Sequence, residues 1–248
     1  MKKMRLAVVF AALLSVFGFS SCLNGGESEP SPNVWMVTVT GDRYTGFKFY
    51  ADIGGILVPT TASISSFGEE LEKEERLLMS YRILDENLPA NPTETTQYSV
   101  SFEGGMPIDT KETIDLYNNE LADSLIENKD EIGSFELMSA YKGYVTVLAS
   151  FNYSGNNKLP YMNLAYNSET DVNVEDNTLN LTLYYDENTD NAYTNGKSYY
   201  SFRLPAETYG SFSSDSIKLV INAEGSGSQE LKKEVNIPKT GLFPPRGY

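Results

Sequence analysis

Histidine is absent from the 248 residues. That removes the usual general base, the commonest zinc ligand and every Ser–His or Cys–His nucleophile pair. Cysteine occurs once, as Cys22. There is then no disulfide framework, no paired-cysteine metal site and no spare thiol nucleophile in the body of the chain, so folding rests on apolar burial. Basic residues are few: 19 Lys and Arg stand against 34 Asp and Glu, for a net charge of −15. A body of that sign repels phosphate backbones, which argues against nucleic acid as a partner. It also repels anionic headgroups, so any hold on a membrane has to be covalent. A glycine-rich phosphate loop is missing too, because Gly25-Gly26, Gly54-Gly55 and Gly104-Gly105 are isolated pairs that read as turns.

What is present starts at the N-terminus. Lys2, Lys3 and Arg5 precede an apolar stretch from Leu6 to Phe19, interrupted only by Ser15 and Gly18. Those 14 residues are short for a membrane span, and small residues follow them, so a cleaved signal fits better than a transmembrane helix. The sequence Phe19-Ser20-Ser21-Cys22 resembles the bacterial lipobox in the form frequent in Bacteroides-type bacteria. We therefore expect a lipoprotein signal peptide over 1–21 and acylation, with palmitate-type chains, of the Cys22 thiol. Two or three chains hold a protein stably where one does not. An ordinary secretory signal followed by a chance cysteine is the alternative. Residues 22–32, rich in Asn, Gly, Ser, Glu and Pro, read as a flexible tether of about 18 Å as a coil. The expected place is the outer membrane. Glu27 and Glu29 form only a thin acidic patch, which leaves the periplasmic face and the cell surface both open.

The chain is rich in Tyr (17) and Phe (12), which suit half-buried strands. Residues 33–108 carry strand patterns at Val34–Val39, Tyr44–Tyr50, Ile56–Val58, Leu77–Leu84 and Gln97–Phe102. One or two helical turns are expected over Phe67–Glu75. Five short strands with one helical interruption predict a small OB-like barrel. Residues 109–248 begin with a helical candidate over Thr110–Lys129, whose irregular apolar spacing predicts a joining segment with a turn or two of helix rather than a long amphipathic helix. Seven strands follow, at Ser134–Tyr141, Tyr144–Tyr153, Tyr161–Tyr166, Thr178–Tyr185, Ser198–Leu204, Ser216–Ala223 and Glu230–Ile237. Lys142-Gly143 and Asn156-Asn157 read as hairpin tips. The spacing predicts a β-sandwich. The fold class is thus all-β, a barrel followed by a sandwich, with a proline-rich tail from Pro238 to Tyr248 that trails or lies along the surface.

Few constellations carry chemistry. Asp186, Asn188 and Asp190 make a D-x-N-x-D run, but the places where a calcium loop needs Gly and Glu hold Asn191 and Lys197, so no metal is expected. Glu69, Glu70, Glu72, Glu74 and Glu75 read as a solvated helical face rather than opposed catalytic carboxylates. Asp123-Ser124-Leu125 and Asp215-Ser216-Ile217 resemble the O-glycosylation sequon of Bacteroides-type bacteria, which makes Ser124 and Ser216 candidate acceptors; Asp or Ser capping a turn is the plain alternative. Trp35, Tyr44 and Tyr50 are candidates to stack on sugar rings, or else they fill the barrel. No catalytic residue and no cofactor is expected.

Several stretches resemble the NigD-like lipoproteins of Bacteroides-type bacteria. In the first module these are Gly55-Ile56-Leu57-Val58-Pro59 and the run from Arg76 to Leu84. In the second they are Ile114-Asp115-Leu116, Ala122-Asp123-Ser124-Leu125 and the run from Ser216 to Ile221. Their order along nearly the whole chain carries the resemblance. It implies an OB-like domain followed by a β-sandwich, and a family named from a bacteriocin-associated operon without an established biochemical activity. The reading of function is a non-enzymatic accessory or binding lipoprotein, with the membrane reached through Cys22 and a glycan or an envelope protein as partner. A glycan-binding module and a bacteriocin-associated, immunity-type protein are the alternatives.

Overall fold

The computed structural model describes residues 32–85, 93–117, 119–153, 160–188 and 194–239. Five strands form the first module: β1 (Asn33–Thr40), β2 (Lys48–Ala51), β3 (Ile56–Pro59), β4 (Arg76–Ile83) and β5 (Gln97–Pro107). They close into a barrel in the order β1-β2-β3-β5-β4. Only β3 and β5 run parallel within it, so the chain needs a crossover between them. That crossover holds two single helical turns, α1 (Thr61–Ile64) and α2 (Gly68–Leu71), and strand β4. Alternation turns Val37, Val39, Phe49, Leu57, Met79 and Val100 into one core, which Ile64 and Leu71 of the helical turns join. Phe102 stacks on Phe49 at 5.8 Å and takes the edge of Phe67 at 5.2 Å. This is the OB-type barrel that the strand count predicted.

Several boundaries differ from the sequence reading; β5, for one, runs to Pro107 rather than ending at Phe102. The strand expected from Tyr44 starts only at Lys48. The reason is the Asp42 carboxylate, which accepts from the backbone N–H of Tyr44 at 2.8 Å and of Thr45 at 2.7 Å and holds those residues in a turn. The helical turns over 61–64 and 68–71 begin earlier and end sooner than the expected 67–75, because the Thr60 hydroxyl caps the first by accepting from the Ser63 N–H.

The second module has two sheets. One has the order β15-β14-β12-β10-β7, with β11 added to β12; the other has the order β6-β13-β9-β8. In chain order the elements are β6 (Asp109–Glu112), β7 (Ile114–Asp115), α3 (Ala122–Glu127), β8 (Ser134–Tyr141), β9 (Tyr144–Tyr153), β10 (Tyr161–Tyr166), β11 (Val172–Asn173), β12 (Thr178–Asp186), β13 (Thr194–Arg203), α4 (Ala206–Ser211), β14 (Ser216–Gly225) and β15 (Gln229–Pro238). The alternating Leu179, Leu181 and Leu183 share one core with Val145, Val147 and Ile221. Lys142 and Gly143 have φ of 45° and 88°, which is the turn that matches strand twist in a two-residue hairpin. The Asn156-Asn157 tip and the tail beyond Lys239 lie outside the described residues.

The segment 110–129 holds the expected one or two turns of helix, but its first part is strand. Asp109–Glu112 and Ile114–Asp115 are strands, and the helix covers only Ala122–Glu127. β6 pairs in parallel with β13, and β7 in parallel with β10, so the chain changes sheets at Thr113. Thr113 is fixed there by its own N–H and hydroxyl, which both donate to the Arg203 carbonyl at 3.0 and 2.8 Å. The barrel ends at Pro107 and the sandwich begins at Asp109, with buried Ile108 between them.

Candidate functional site

The seam between barrel and sandwich gathers the buried polar side chains of the described residues. Arg76 opens β4 and is fully buried. A buried guanidinium needs a paired charge and a partner for nearly every donor. Asp52, in the turn after β2, supplies the charge through two contacts of 2.6 and 2.5 Å. Thr38 of β1 accepts at 2.8 Å and Thr146 of β9 at 3.0 Å. Thr146 in turn lies 3.0 Å from the Ser201 hydroxyl of β13. Thr38, Arg76, Thr146 and Ser201 are the buried polar or charged residues among those described, and they form one connected chain across the seam.

A second group flanks the first. The Tyr144 hydroxyl donates to Glu75, which also accepts from Arg203; Arg203 reaches Glu112 as well. The Tyr144 ring sits between two guanidiniums, 5.1 Å from that of Arg76 and 5.8 Å from that of Arg203. Burial, reinforced by the Glu75 carboxylate, pushes the Tyr144 phenol far above its ordinary value, so it acts as a hydrogen-bond donor at any working pH.

Above this floor lies a cleft of about 420 Å³. Asp52 and Ser139 form its base, and the Ser139 hydroxyl donates to Asp52. Its walls are apolar: Val34 and Trp35 from β1, Ile53 from the turn after β2, and Met138 from β8. They are unusually open for apolar side chains, with Trp35 at 40 % and Ile53 at 64 % exposure. Met138 stands out because the β8–β9 register shifts between Leu137 and Ser139, a bulge that leaves Met138 without an opposite residue. With Asp52 held by Arg76 and Ser139, the base is occupied by internal pairing. The arrangement suits holding an apolar group over a polar floor.

The candidate stacking residues are not brought together. Trp35 lies on the cleft. Tyr44 is 86 % exposed in the turn at the far end of β1, where the Arg43 guanidinium lies 5.5 Å from its ring. Tyr50 is half-buried at the seam, with the Lys142 ammonium of the sandwich 5.8 Å from its ring. The three form no common platform. Ser124 on α3 and Ser216 at the start of β14 are both exposed. Asp186 accepts from the Asn188 N–H at 2.7 Å, a local turn, while Asp190 lies outside the described residues, as does Cys22. Among the described residues no group of three or more Asp, Glu, His or Cys could hold a metal ion, and no helix is long and apolar enough to cross a membrane.

Sequence reasoning did not find Arg76, Asp52 or Thr146 as a unit. The one available signal was a charge heading the apolar run from Arg76 to Leu84; its partners lie 24 and 70 positions away along the chain.

Fold and seam together define a two-module all-β protein, an OB-type barrel locked onto a sandwich. Residues 113–235 match the NigD-like C-terminal β-sandwich domain, so the second module is of the NigD-like type. No curated protein matches the chain. Solved structures share the two-module fold. A Parabacteroides distasonis protein provisionally described as toxin related is 17 % identical with a TM-score of 0.63, over 84 % of this chain and 94 % of that one. A NigD-like immunity protein from Bacteroides caccae is 15 % identical with a TM-score of 0.53, over 85 % and 99 %. A Bacteroides fragilis protein provisionally described as a lipoprotein is 12 % identical with a TM-score of 0.53, over 86 % and 100 %. At these identities the likeness is one of fold.

Proposed function

We propose that this NigD-like protein is held at the outer membrane by acyl chains on Cys22 and docks a protein of the cell envelope in the seam cleft, without catalysing a reaction. The observation that supports the docking reading is the open apolar wall of Val34, Trp35, Ile53 and Met138 over a base whose charges are internally paired. Open apolar side chains gathered in one cleft mark interaction sites more often than scattered ones do. The anchor rests on the lipobox-like sequence and on the lipoprotein description of the Bacteroides fragilis structure. Immobilised full chain should retain a discrete species from its own detergent-solubilised envelope, and Ile53→Asp should lose it. Equal retention by both forms defeats the docking reading. Incorporation of a palmitate analogue in wild type, and none in Cys22→Ala, tests the anchor.

An immunity-type role is the second reading, favoured by the name of the Bacteroides caccae structure. A deletion strain should then become sensitive to a bacteriocin that its parent resists; equal resistance removes this reading.

A further inference from the structure

The larger sheet of the sandwich has an outward face that the seam does not use. Along β10 and β12, alternation sends Met162, Leu164, Leu181 and Leu183 to the core and turns Tyr161, Asn163, Thr182, Tyr184 and Asp186 outward. The register opposes Tyr161 to Asp186 and Asn163 to Tyr184. The two tyrosines are therefore diagonal neighbours on one face, about 7–8 Å apart at the backbone. Tyr161 is 52 % exposed. These four residues, with Ser124 and Asn128 at the rim, line a depression of about 210 Å³. A second depression of about 280 Å³ adjoins it, shares Tyr184 and runs to Asn222 of β14 and the Lys129–Glu224 ion pair. The Asn222 side-chain oxygen is buried there and has no hydrogen-bond partner among the described residues. A buried acceptor left unpaired is costly, and it is a fitting place for a ligand donor.

We propose that this face binds a neutral oligosaccharide, independently of the seam cleft. A pyranose ring offers an apolar C–H face and a rim of hydroxyls, each both donor and acceptor. Tyrosine rings cover the first kind of surface. Asn163, Asn128, Asp186 and Asn222 address the second, and a few placed polar groups beside aromatic walls are what small-ligand sites require. Two adjoining depressions sharing one ring suit consecutive sugar units. Asp130, Asp186, Glu224 and Glu230 outnumber Lys129 around them, which disfavours phosphate, sulfate and uronate ligands.

The test is affinity electrophoresis of the full lipidated chain in a detergent without a sugar headgroup. The gels contain xyloglucan, galactomannan, amylopectin or mixed-linkage β-glucan, with polygalacturonate as the anionic comparison. At least one neutral polysaccharide should retard the wild type. Tyr161→Ala and Tyr184→Ala should each weaken that retardation roughly tenfold. Tyr184→Phe, which keeps the ring, and Ile53→Asp, which alters only the seam, should preserve it. The proposal is overturned if no neutral polysaccharide retards the wild type, if Tyr161→Ala retards as the wild type does, or if polygalacturonate is the preferred matrix.

Discussion

Arg76 of the barrel donates to the Thr146 hydroxyl of the sandwich at 3.0 Å, so a fully buried cation belongs to one module and part of its solvation to the other. Neither module alone satisfies that guanidinium. The sandwich is thus part of the environment that makes Arg76 tolerable. An OB barrel commonly binds oligosaccharides or oligonucleotides on one face. Here Tyr50, on β2, meets Lys142 of the sandwich rather than an open surface.

Breaking the pair from one side should be severe. Arg76→Met leaves the Asp52 carboxylate buried and uncompensated, and should cost about 3–5 kcal/mol in chemical denaturation. Arg76→Met combined with Asp52→Leu should recover most of that loss, because the charge left behind is gone. Equal instability of the single and double variants contradicts the pairing account.

Alkaline pH should destabilise the fold through its tyrosines. Burial, with Glu94 and Asp52 adding to it, pushes the Tyr141 phenol up to about 12; burial, with Asp109 adding, does the same to Tyr200. Burial also raises Tyr144 and Tyr185. A phenol whose folded value lies above its unfolded value of about 10 contributes stability in full below pH 10. That contribution is lost as pH rises from about 10 to 12, since the unfolded chain releases protons that the folded one keeps. Denaturation midpoints should be level through neutral pH and fall across this window. A midpoint still level at pH 11.5 contradicts it.

At acid pH the sign reverses and the effect is small. Hydrogen bonds from Lys218 and Lys232 hold the Glu234 carboxyl down at about 2. Its stabilising share is present above the ordinary carboxylate range and is lost as pH falls toward 2. The group lies on the surface, so Glu234→Gln should leave the neutral-pH midpoint nearly unchanged.

The β1–β2 turn separates backbone need from side-chain use. Gly41 has φ of +76°, and an added Cβ would lie 2.1 Å from the Gly46 carbonyl oxygen. Gly41→Ala should cost about 1–3 kcal/mol. Tyr44→Ala, three residues on and 86 % exposed, should change stability by less than about 0.5 kcal/mol. Thermal or denaturant melts of the two variants give the comparison.

Much of the fold was legible because it is built from local alternation. The strands Ser134–Tyr141, Tyr144–Tyr153 and Tyr161–Tyr166 alternate or run apolar and end at turn residues, and the structure has them at those positions. The parallel strands at 109–112 and 114–115 were not legible. They are short, they show no clear period of two, and their partners, near Tyr200 and Tyr166, lie some 90 and 50 residues on. The site was hidden for a related reason. Arg76, Asp52, Ser139 and Thr146 carry no spacing pattern, since closure of a barrel and its docking on a second sheet bring them together. Trp35 could be singled out as the lone tryptophan, but its place beside Ile53 and Met138 depends on that same docking.

The docking account is tested most directly inside the cell. A photo-crosslinking residue placed at Ile53, in the cleft, and separately at Tyr44, at the far end of the barrel, reports what each surface touches in the native envelope. The account predicts one adduct of defined mass from position 53 and none from position 44. Adducts of the same pattern from both positions, or none from position 53 alone, would contradict it.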